Sequence, residues 1–373
     1  MLGDLRVKIG IDGRALQGQR AGTGRYVFEL CRALDRQLPQ ATFYVYSPTP
    51  VEMPILSSRW IARVDPTAWA TRLKSVPWLK LRAGSLCAED RLDAYWANAS
   101  FVPSLKKSVR VVSTVHDLAY LIVPETMKTV TYWAFRLFFL HDLRRANAVL
   151  TNSQGTANRL YQILGRHSDG VVLPAVSPHF RQQSPEVVAA TLARLGVKRP
   201  YFLAVGTLEP RKNLELLIDV FTRLKREGQL GQQQLVLAGG RGWKDLGLQR
   251  LLKQHAELDL IPLGYVAEQD LPVLYAGADA FVFPSRYEGF GIPVLEARAC
   301  GARIVASDLP EVREAGGVGP LYVPPTEEAL IAALLQVRKQ GLVPTDSIQP
   351  LPDWDEGARM LAQALLGELG ERE

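Results

Sequence analysis

Short apolar runs alternate with amphipathic stretches along most of the chain, a pattern typical of parallel β-strands joined by α-helices. In the first half, the pattern predicts strands at residues 6–13, 42–47, 109–115 and 148–153, and helices at 26–34, 131–145 and 156–163. In the second half, it predicts strands at 201–205, 234–238, 281–283, 302–307 and 321–323, and helices at 214–226, 268–276 and 355–369. The chain is therefore predicted to be α/β, with doubly wound units built on parallel sheets.

The chain is too long for one hydrophobic core. Its 373 residues exceed the size, roughly 250–300 residues, at which a single core stops growing. Residues 174–196 contain several Pro, Ser and Gln residues, and a new strand, loop and helix pattern starts directly afterwards. We therefore predict an N-terminal domain of residues 1–180 and a C-terminal domain of residues 181–353.

The pattern is hard to follow between residues 48 and 103. This segment carries Trp60, Trp69, Trp78 and Trp96 among several Lys and Arg residues. Tryptophan combined with cations suits a membrane interface. Core packing explains the same composition, and the irregular spacing of the Trp residues slightly favours it.

Positive charge is concentrated in the first half. Residues 1–180 hold 23 Lys and Arg against 13 Asp and Glu, whereas the remainder holds 21 against 25. Such an excess attracts anions, so we expect an anionic membrane surface or a lipid-linked substrate as a partner. A solvated basic surface without function is the alternative. Nucleic acid is not expected because the cations form no recognisable readout motif.

Other classes of protein are disfavoured. The N-terminus lacks the basic and then apolar segments of a secretory signal, and no apolar run of about 20 residues could span a membrane. Cys31, Cys87 and Cys300 are widely spaced, which argues against a disulfide framework and against a clustered metal site. We therefore expect a cytoplasmic protein with reduced thiols, peripheral on the inner face of the cytoplasmic membrane.

A strand, turn and helix in the second half form a candidate anion site. The apolar run 281–283 leads through a polar, glycine-containing loop to a helix that begins near Pro293. Free N–H groups and the positive end of the helix dipole bind phosphate at such a turn. Glu288 and Glu296 lie in the loop and the helix, where hydroxyl groups of a sugar or a ribose would give each carboxylate a partner.

A second turn supplies cations. Arg211 and Lys212 follow the strand at 201–205 and precede a helix, so they can neutralise a diphosphate held between the two turns. A solvated basic pair is the alternative.

Two features of the first half point to the same end of a sheet. His116 directly follows a strong strand, and ligands of open α/β sheets bind at the carboxyl ends of strands. The loop Gly22-Thr23-Gly24 lies between the first strand and its helix. It lacks the third glycine of a dinucleotide fingerprint, so it is either a phosphate-approaching loop or a tight turn.

Two segments carry a family resemblance. GTLEPRKN at 206–213 and RYEGFGIPVLEA at 286–297, with seven residues between Glu288 and Glu296, resemble the retaining glycosyltransferases of family 4. The first segment and the HDL run that begins at His116 are similar to bacterial mannosyl- and rhamnosyltransferases of O-antigen and related surface-polysaccharide synthesis. The resemblance covers nearly the whole chain and is most specific in the second half.

The resemblance implies a GT-B architecture, in which two Rossmann-like domains face each other across a cleft and the C-terminal helix, residues 354–373, packs back on the first domain. It implies that Arg211 and Lys212 bind the donor diphosphate, that Glu288 holds the transferred sugar and that Glu296 holds the ribose. His116 would lie beside the sugar. The residues expected to take part in catalysis are Arg211, Lys212, Glu288 and His116. The predicted donor-binding set comprises Gly22, Thr23, Gly24, Gly206, Arg211, Lys212, Arg241, Tyr265, Val266, Glu288, Gly289, Phe290, Gly291 and Glu296.

Thr207 departs from the family pattern, because many relatives carry an arginine directly after the glycine of this loop. Arg211 would then take over that share of the phosphate charge. The resemblance also implies retention of anomeric configuration by same-face attack, with the leaving phosphate accepting the acceptor's proton. No cofactor is expected, with the nucleotide sugar as co-substrate. No metal is expected either, because Asp353-Trp354-Asp355, a DxD pattern, precedes a helix and is interpreted as a cap.

The expected function is transfer of a hexose, mannose from GDP-mannose, to a lipid-linked glycan acceptor. Rhamnosyl or other hexosyl transfer from a GDP-, dTDP- or UDP-sugar is one alternative. A nucleotide-sugar epimerase of the same architecture and a non-enzymatic nucleotide-sugar-binding regulator are the others.

Overall fold

The computed structural model describes residues 7–18, 22–69, 72–73, 75–240, 242–243, 246–341 and 350–369. The chain forms two compact units. The first comprises Met1–Leu118, Thr129–Pro174 and Pro352–Glu373, and the second comprises Ala119–Lys128 and Ala175–Leu351.

The strands fall into one sheet per unit. In the first unit they are β1 Lys8–Asp12, β2 Thr42–Ser47, β3 Trp60–Val64, β4 Ala94–Ala97, β5 Arg110–Val115, β6 Ala148–Thr151 and β7 Gly170–Val171. In the second unit they are β8 Tyr201–Val205, β9 Gln234–Ala238, β10 Leu260–Gly264, β11 Ala280–Phe283, β12 Ile304–Ser307 and β13 Leu321–Val323.

The helices alternate with these strands. They are α1 Gly22–Gln37, α2 Ser75–Trp78, α3 Gly84–Asp90, α4 Ala119–Ile122, α5 Thr129–Arg145, α6 Gln154–Leu164, α7 Pro185–Leu195, α8 Leu214–Arg226, α9 Leu246–Gln254, α10 Leu271–Gly277, α11 Ile292–Ala299, α12 Pro310–Gly316, α13 Glu327–Gln340 and α14 Trp354–Leu366. Short 3-10 helices span Gly13–Leu16, Pro124–Thr126, Pro210–Lys212 and Glu268–Asp270, and a π-helix, Leu79–Ala83, joins α2 to α3.

Both sheets are parallel and reverse their strand order once. Among the described residues, the first sheet has the order β3-β2-β1-β4-β5-β6-β7 and the second has the order β10-β9-β8-β11-β12-β13. The order turns around between β1 and β4 in one sheet and between β8 and β11 in the other. Crevices at the carboxyl ends of such strands are the usual ligand sites of doubly wound sheets.

Each sheet is buried between helices, as its apolar strands predict. In the first unit, Ile9 and Ile11 of β1 are fully buried. The C-terminal helix α14 packs on α1 in the same unit, where Arg36 pairs with Asp355 at 2.7 Å. Asp353 caps α14 by accepting a hydrogen bond from the Asp355 amide at 3.2 Å, which fits the interpretation of this acidic pair as a cap.

The four tryptophans of the unassigned segment have different surroundings. Trp60 begins β3, Trp78 ends α2 and Trp96 lies in β4, and all three side chains are buried. Trp69 is exposed. Three of the four are therefore core residues, and they do not form a membrane-facing surface.

Two expectations differ from the structure. Gly22, Thr23 and Gly24 form the first turn of α1 and do not lie in a loop. The predicted division of the chain differs from the compact units as well, because the boundary falls after Pro174 and Ala119–Lys128 belongs to the second unit. That segment continues the HDL run along the chain, and no periodicity in the sequence marks its change of unit.

Candidate functional site

The second sheet places two loops side by side at its point of reversal. One follows β8 and carries Arg211 and Lys212, and the other follows β11 and carries Glu288. The loops are tied together because the Arg286 amide donates to the Arg211 carbonyl at 2.9 Å. The Arg286 Nε also donates to Asn213 Oδ1 at 3.2 Å.

Glycine is required where the backbone after β8 meets the backbone after β9. Gly206 has a φ of 144°, which residues with a side chain rarely adopt. A Cβ on Gly239 would lie 1.9 Å from the Gly206 carbonyl oxygen, so the two chains could not approach with a larger residue there. A Cβ on Gly206 would lie 3.4 Å from Cε of Lys212. That distance is an ordinary van der Waals contact, so the positive φ of Gly206 and the backbone contact at Gly239 are what require glycine here.

Arg211 and Lys212 converge on the Glu288 carboxylate. Nη1 of Arg211 donates to Oε2 at 2.6 Å and Nζ of Lys212 donates to Oε1 at 2.7 Å. Nη1 of Arg211 also donates to the Tyr287 carbonyl at 3.1 Å. Three residues predicted from the sequence are therefore brought together, although the cations and the carboxylate lie more than seventy positions apart in the chain.

A second carboxylate, Glu209, completes the cluster. Its Oε1 accepts hydrogen bonds from Nε and Nη2 of Arg211, at 3.1 and 2.8 Å. Glu209 and Glu288 are buried, so two acids balance two cations away from bulk water. Glu209 was not among the residues predicted from the sequence, although an acid two positions before an arginine in the same loop was a usable signal.

Glu288 stays ionised in this cluster. Burial alone raises the pKa of its carboxyl, but the charges of Arg211 and Lys212 outweigh that effect and lower the pKa to about 2. An ionised carboxylate can only accept hydrogen bonds, and its two oxygens offer about four acceptor sites. A carboxylate with so low a pKa is also a poor general base near neutral pH.

Glu296 has a different hydrogen-bond partner from the residues of this cluster. It is buried on α11, and its Oε2 accepts a hydrogen bond from the Tyr275 hydroxyl at 3.0 Å. Tyr275 is itself fully buried in α10. The sequence gave no sign of this tyrosine, because it lies in an ordinary apolar helix pattern.

The turn between β11 and α11 has the predicted form. Gly289, Phe290 and Gly291 are buried, and Gly291 caps α11 with a φ of 108°. The helix begins with Ile292 and Pro293, so the positive end of its dipole faces the turn.

The remaining predicted residues of the second half follow β8, β9 and β10. Gly206 lies against Lys212 as described. Tyr265 is exposed and Val266 is buried directly after β10. Arg241 lies outside the described residues. Thr207 occupies the position after Gly206, as the sequence shows.

The first sheet has its own polar cluster at the point of reversal. Asp12 at the end of β1 binds Arg14 through Nη2 at 2.5 Å and Nε at 2.8 Å, and both side chains are buried. Asn98, after β4, donates to the Asp12 carbonyl at 2.7 Å. None of these three residues was singled out from the sequence.

His116 joins the same cluster. Its Nε2 lies 2.6 Å from the Asn98 carbonyl oxygen. Because a carbonyl can only accept, Nε2 carries the proton and Nδ1 keeps its lone pair. Burial lowers the pKa of His116 below its ordinary value, although the Asn98 carbonyl and Asp117 oppose the effect. The ring of Tyr26 packs edge-on against the imidazole, with 5.1 Å between the ring centroids.

The segment 119–128 packs beside the Glu288 loop within the second unit. Ala119 and Val123 form an apolar cluster with Tyr287. The Trp243 indole donates to the Thr126 carbonyl at 2.8 Å, and the Lys128 ammonium lies 5.0 Å from the Trp243 ring centroid. The segment is therefore fixed to the unit that carries Arg211, Lys212 and Glu288.

Two kinds of feature are absent from the described part of the chain. No group of three or more His, Cys, Asp and Glu side chains there could hold a metal ion. Among the same residues, no helix has the length and apolar character needed to cross a bilayer. The three cysteines are buried free thiols.

A relative from Escherichia coli shares part of this sequence. The O-antigen chain mannosyltransferase B of Escherichia coli is 34% identical over 234 residues, which cover 61% of each chain. The match thus spans about three fifths of the length of that relative.

Solved structures share the whole fold. One is the structure of WaaG, described as a glycosyltransferase involved in lipopolysaccharide biosynthesis. Its alignment covers 97% of this chain and 98% of the WaaG chain, with a TM-score of 0.68 and 15% sequence identity. That of Anabaena Alr3699/HepE in complex with UDP and glucose covers 97% of both chains, with a TM-score of 0.64 and 18% identity. The predicted GT-B fold class is confirmed by these likenesses.

Two family models match successive parts of the chain. Residues 20–175 match Glycosyltransferase Family 4, and residues 193–347 match Glycosyl transferases group 1. Together they take in most of the first unit and most of the second. The chain therefore belongs to the glycosyltransferases, with a family 4 region followed by a group 1 region.

Proposed function

We propose that this protein transfers mannose from GDP-mannose to a lipid-linked glycan acceptor, with retention of anomeric configuration, in surface-polysaccharide synthesis. The observation that carries the proposal is the convergence of Arg211 and Lys212 on one anion, at 2.6 and 2.7 Å, at the point where the second sheet reverses. Two cations already aimed at carboxylate oxygens are suitably placed for the oxygens of a diphosphate. The mannosyl group and a glycan acceptor are proposed from the name of the E. coli relative, O-antigen chain mannosyltransferase B.

The reaction breaks the bond between the anomeric carbon and the diphosphate oxygen. Negative charge grows on the leaving phosphate, where Arg211, Lys212 and the N-terminus of α11 stabilise it. The acceptor hydroxyl oxygen forms the new bond on the same face, and its proton passes to the leaving phosphate. No carboxylate pair is needed for proton transfer, which agrees with the low pKa of Glu288.

Glu288 and Glu296 act as hydroxyl acceptors in this proposal. Glu288 remains charged and accepts hydrogen bonds from the transferred sugar, beside the backbone of Gly289, Phe290 and Gly291. Glu296 accepts from the ribose, with the Tyr275 hydroxyl fixing one of its oxygens. The low pKa of Glu288 and the burial of both acids support these roles.

The roles of the first unit are also part of the proposal. His116, with its proton held at Nε2, offers Nδ1 as an acceptor for a sugar hydroxyl at neutral pH. Gly22, Thr23 and Gly24 form the N-terminal turn of α1, a position that suits a phosphate group. The cationic excess of residues 1–180 supports an acceptor attached to an anionic membrane, with the protein peripheral on its inner face.

A donor panel tests the proposal. Thermal unfolding is followed with GDP-mannose, UDP-glucose and dTDP-rhamnose, since a donor at 100 times its dissociation constant stabilises by about 2.7 kcal/mol. We expect the largest shift with GDP-mannose. Nuclear magnetic resonance of the product formed with a soluble octyl mannoside then reports an α-linkage. A larger shift with UDP-glucose would overturn the assignment of the base.

The same samples test the other expectations. Sugar interconversion without nucleotide release, with donor alone, would identify an epimerase instead. Donor binding without any product would favour a nucleotide-sugar-binding regulator. Activity that a chelator abolishes and manganese restores would contradict the expectation that no metal is required.

A further inference from the structure

One helix of the first unit exposes an apolar face. In α5, the exposed fractions of Val130, Trp133, Leu137 and Leu140 are 58, 54, 66 and 43%. These positions are separated by three or four residues, so their side chains form one stripe along the helix. We call this stripe the α5 face.

The other side of α5 is a normal core face. Phe139 and Leu143 are buried, and Asp142 is buried between them. The Asp142 carboxylate pairs with Lys80 and accepts a hydrogen bond from the Val102 amide at 3.0 Å. The helix therefore carries apolar side chains on its exposed side as well as on its buried side.

Two arginines and a histidine border the α5 face. Arg136 and His141 lie on its two edges, and Arg144 follows at its C-terminal end, all exposed. The one acid of the helix, Asp142, points into the core. The exposed side thus combines a tryptophan and aliphatic side chains with arginines and no carboxylate, a composition that suits the interface of a bilayer.

We propose that the α5 face docks on an anionic lipid bilayer, with the helix lying in the plane of the interface. The inference rests on the proposed membrane-linked acceptor and gives that partner a location. Trp133 and Leu137 enter the boundary between headgroups and acyl chains, and Arg136 and Arg144 bind lipid phosphates. The charge of the rim favours lipid over a second copy of the chain, because two such faces would bring like charges together.

Vesicle flotation without donor tests the proposal. Vesicles of phosphatidylcholine alone are compared with vesicles of equal parts phosphatidylcholine and phosphatidylglycerol. We expect the protein to float only with the second kind. The double variant W133S/L137S should lose at least tenfold in apparent vesicle affinity. The variant R136E/R144E should lose at least as much, since each cation near such a surface is worth about a fivefold factor, and added salt should weaken binding of the unchanged protein.

The control is L56S/W69S, which removes two exposed apolar side chains of the same unit. Leu56 and Trp69 are 94 and 53% exposed, comparable to the residues of the α5 face. We expect this variant to float like the unchanged protein. An equal or greater loss in the control would overturn the proposal, as would flotation that does not depend on phosphatidylglycerol.

Two further measurements separate the possible failures. Thermal unfolding and GDP binding of W133S/L137S should be unchanged, which shows that the variant is folded. Sedimentation that reveals a dimer dissociated by W133S/L137S, with no flotation, would overturn the proposal in favour of self-association. Absence of GDP-mannose transfer despite flotation would refute the proposed function and leave the docking surface standing, because flotation is measured without donor.

Discussion

The two sheets reverse at equivalent positions, and each reversal carries a buried ionic cluster of a different kind. In the first unit, Asp12 and Arg14 are two residues apart and pair one to one. In the second, Arg211 is held by Glu209 and Glu288, while Lys212 shares Glu288. In the local pair, each charge is neutralised by its one partner. In the cluster assembled from two loops, each cation contacts a carboxylate that comes from a distant part of the chain or shares it with another cation, and in our proposal these cations also bind the donor phosphates.

This difference leads to separate expectations for stability and for donor binding. Removing one member of the first cluster leaves a buried charge unpaired and should destabilise the fold. Removing a cation of the second should mainly weaken stabilisation of the leaving phosphate. Variants of the two clusters separate these effects.

Arg14→Ala should lower the free energy of unfolding by about 3–5 kcal/mol, because Asp12 then stays buried without its partner. Chemical denaturation measures the change. Arg36→Ala is the matched control, since Arg36 pairs with Asp355 at an exposed site and its loss should cost about 1 kcal/mol or less. GDP affinity of the folded Arg14→Ala protein should be unchanged. A large loss of GDP affinity would assign this pair to the donor site and contradict the distinction between a stabilising cluster and a donor-binding cluster.

Lys212→Ala should lower kcat/KM by a factor of about 10²–10³, which corresponds to about 3–4 kcal/mol of transition-state stabilisation. Steady-state kinetics with GDP-mannose give the value. Lys225→Ala removes another ion-paired lysine of the same unit, bound to Asp259, and should leave kcat/KM within about twofold. Equal losses in both variants would show that the effect of Lys212 is a general one on the fold.

Glu288→Gln should change how stability depends on pH. The pKa of Glu288 is lowered from 4.5 to about 2 in the folded protein. As the pH falls, this carboxylate is therefore protonated in the unfolded chain at a higher pH than in the folded protein. The ionised carboxylate therefore stabilises the fold above pH 4.5, and this contribution is lost as the pH falls towards 2. At neutral pH the variant should be less stable by about 2 kcal/mol, and the difference should shrink in acid. Denaturation at several pH values tests this, with the exposed Glu227→Gln as control.

Tyr275→Phe should raise the KM for the donor several-fold and leave kcat nearly unchanged, since it removes a hydrogen bond of about 1 kcal/mol from Glu296. Tyr201→Phe is a close control. Its hydroxyl is equally buried and donates to the Leu274 carbonyl at 2.8 Å, not to Glu296. Both variants should lose similar stability, and only the first should shift KM. A fall in kcat alone would argue against a ribose role for Glu296.

Elements with a clear period were predictable from the sequence. The strand at 201–205 and the helix at 214–226 were predicted with the bounds observed, because their apolar positions repeat without interruption. Residues 75–90 were not, because a π-helix shifts the period between α2 and α3. Gly22 and Gly24 were taken for loop residues because glycine weakens a helix, yet both are helical here.

Within the candidate site, position was predictable and pairing was not. Arg211, Lys212 and Glu288 were identified because each follows an apolar strand, where ligands of parallel sheets bind. Their mutual hydrogen bonds depend on the adjacency of β8 and β11, which are about eighty residues apart in the chain. The bond from Tyr275 to Glu296 depends in the same way on how α10 packs beside α11.

The segment Ala119–Lys128 bears on how such proteins can be recombined. It falls inside the region that matches Glycosyltransferase Family 4, yet it belongs to the second unit and its side chains pack against Tyr287 and Trp243 of that same unit. A chimera joined between the two matched regions would surround Tyr287 with apolar residues inherited from the wrong parent. Exchanging donor specificity between relatives therefore calls for transplanting residues 119–128 together with 175–351, as a discontinuous cassette.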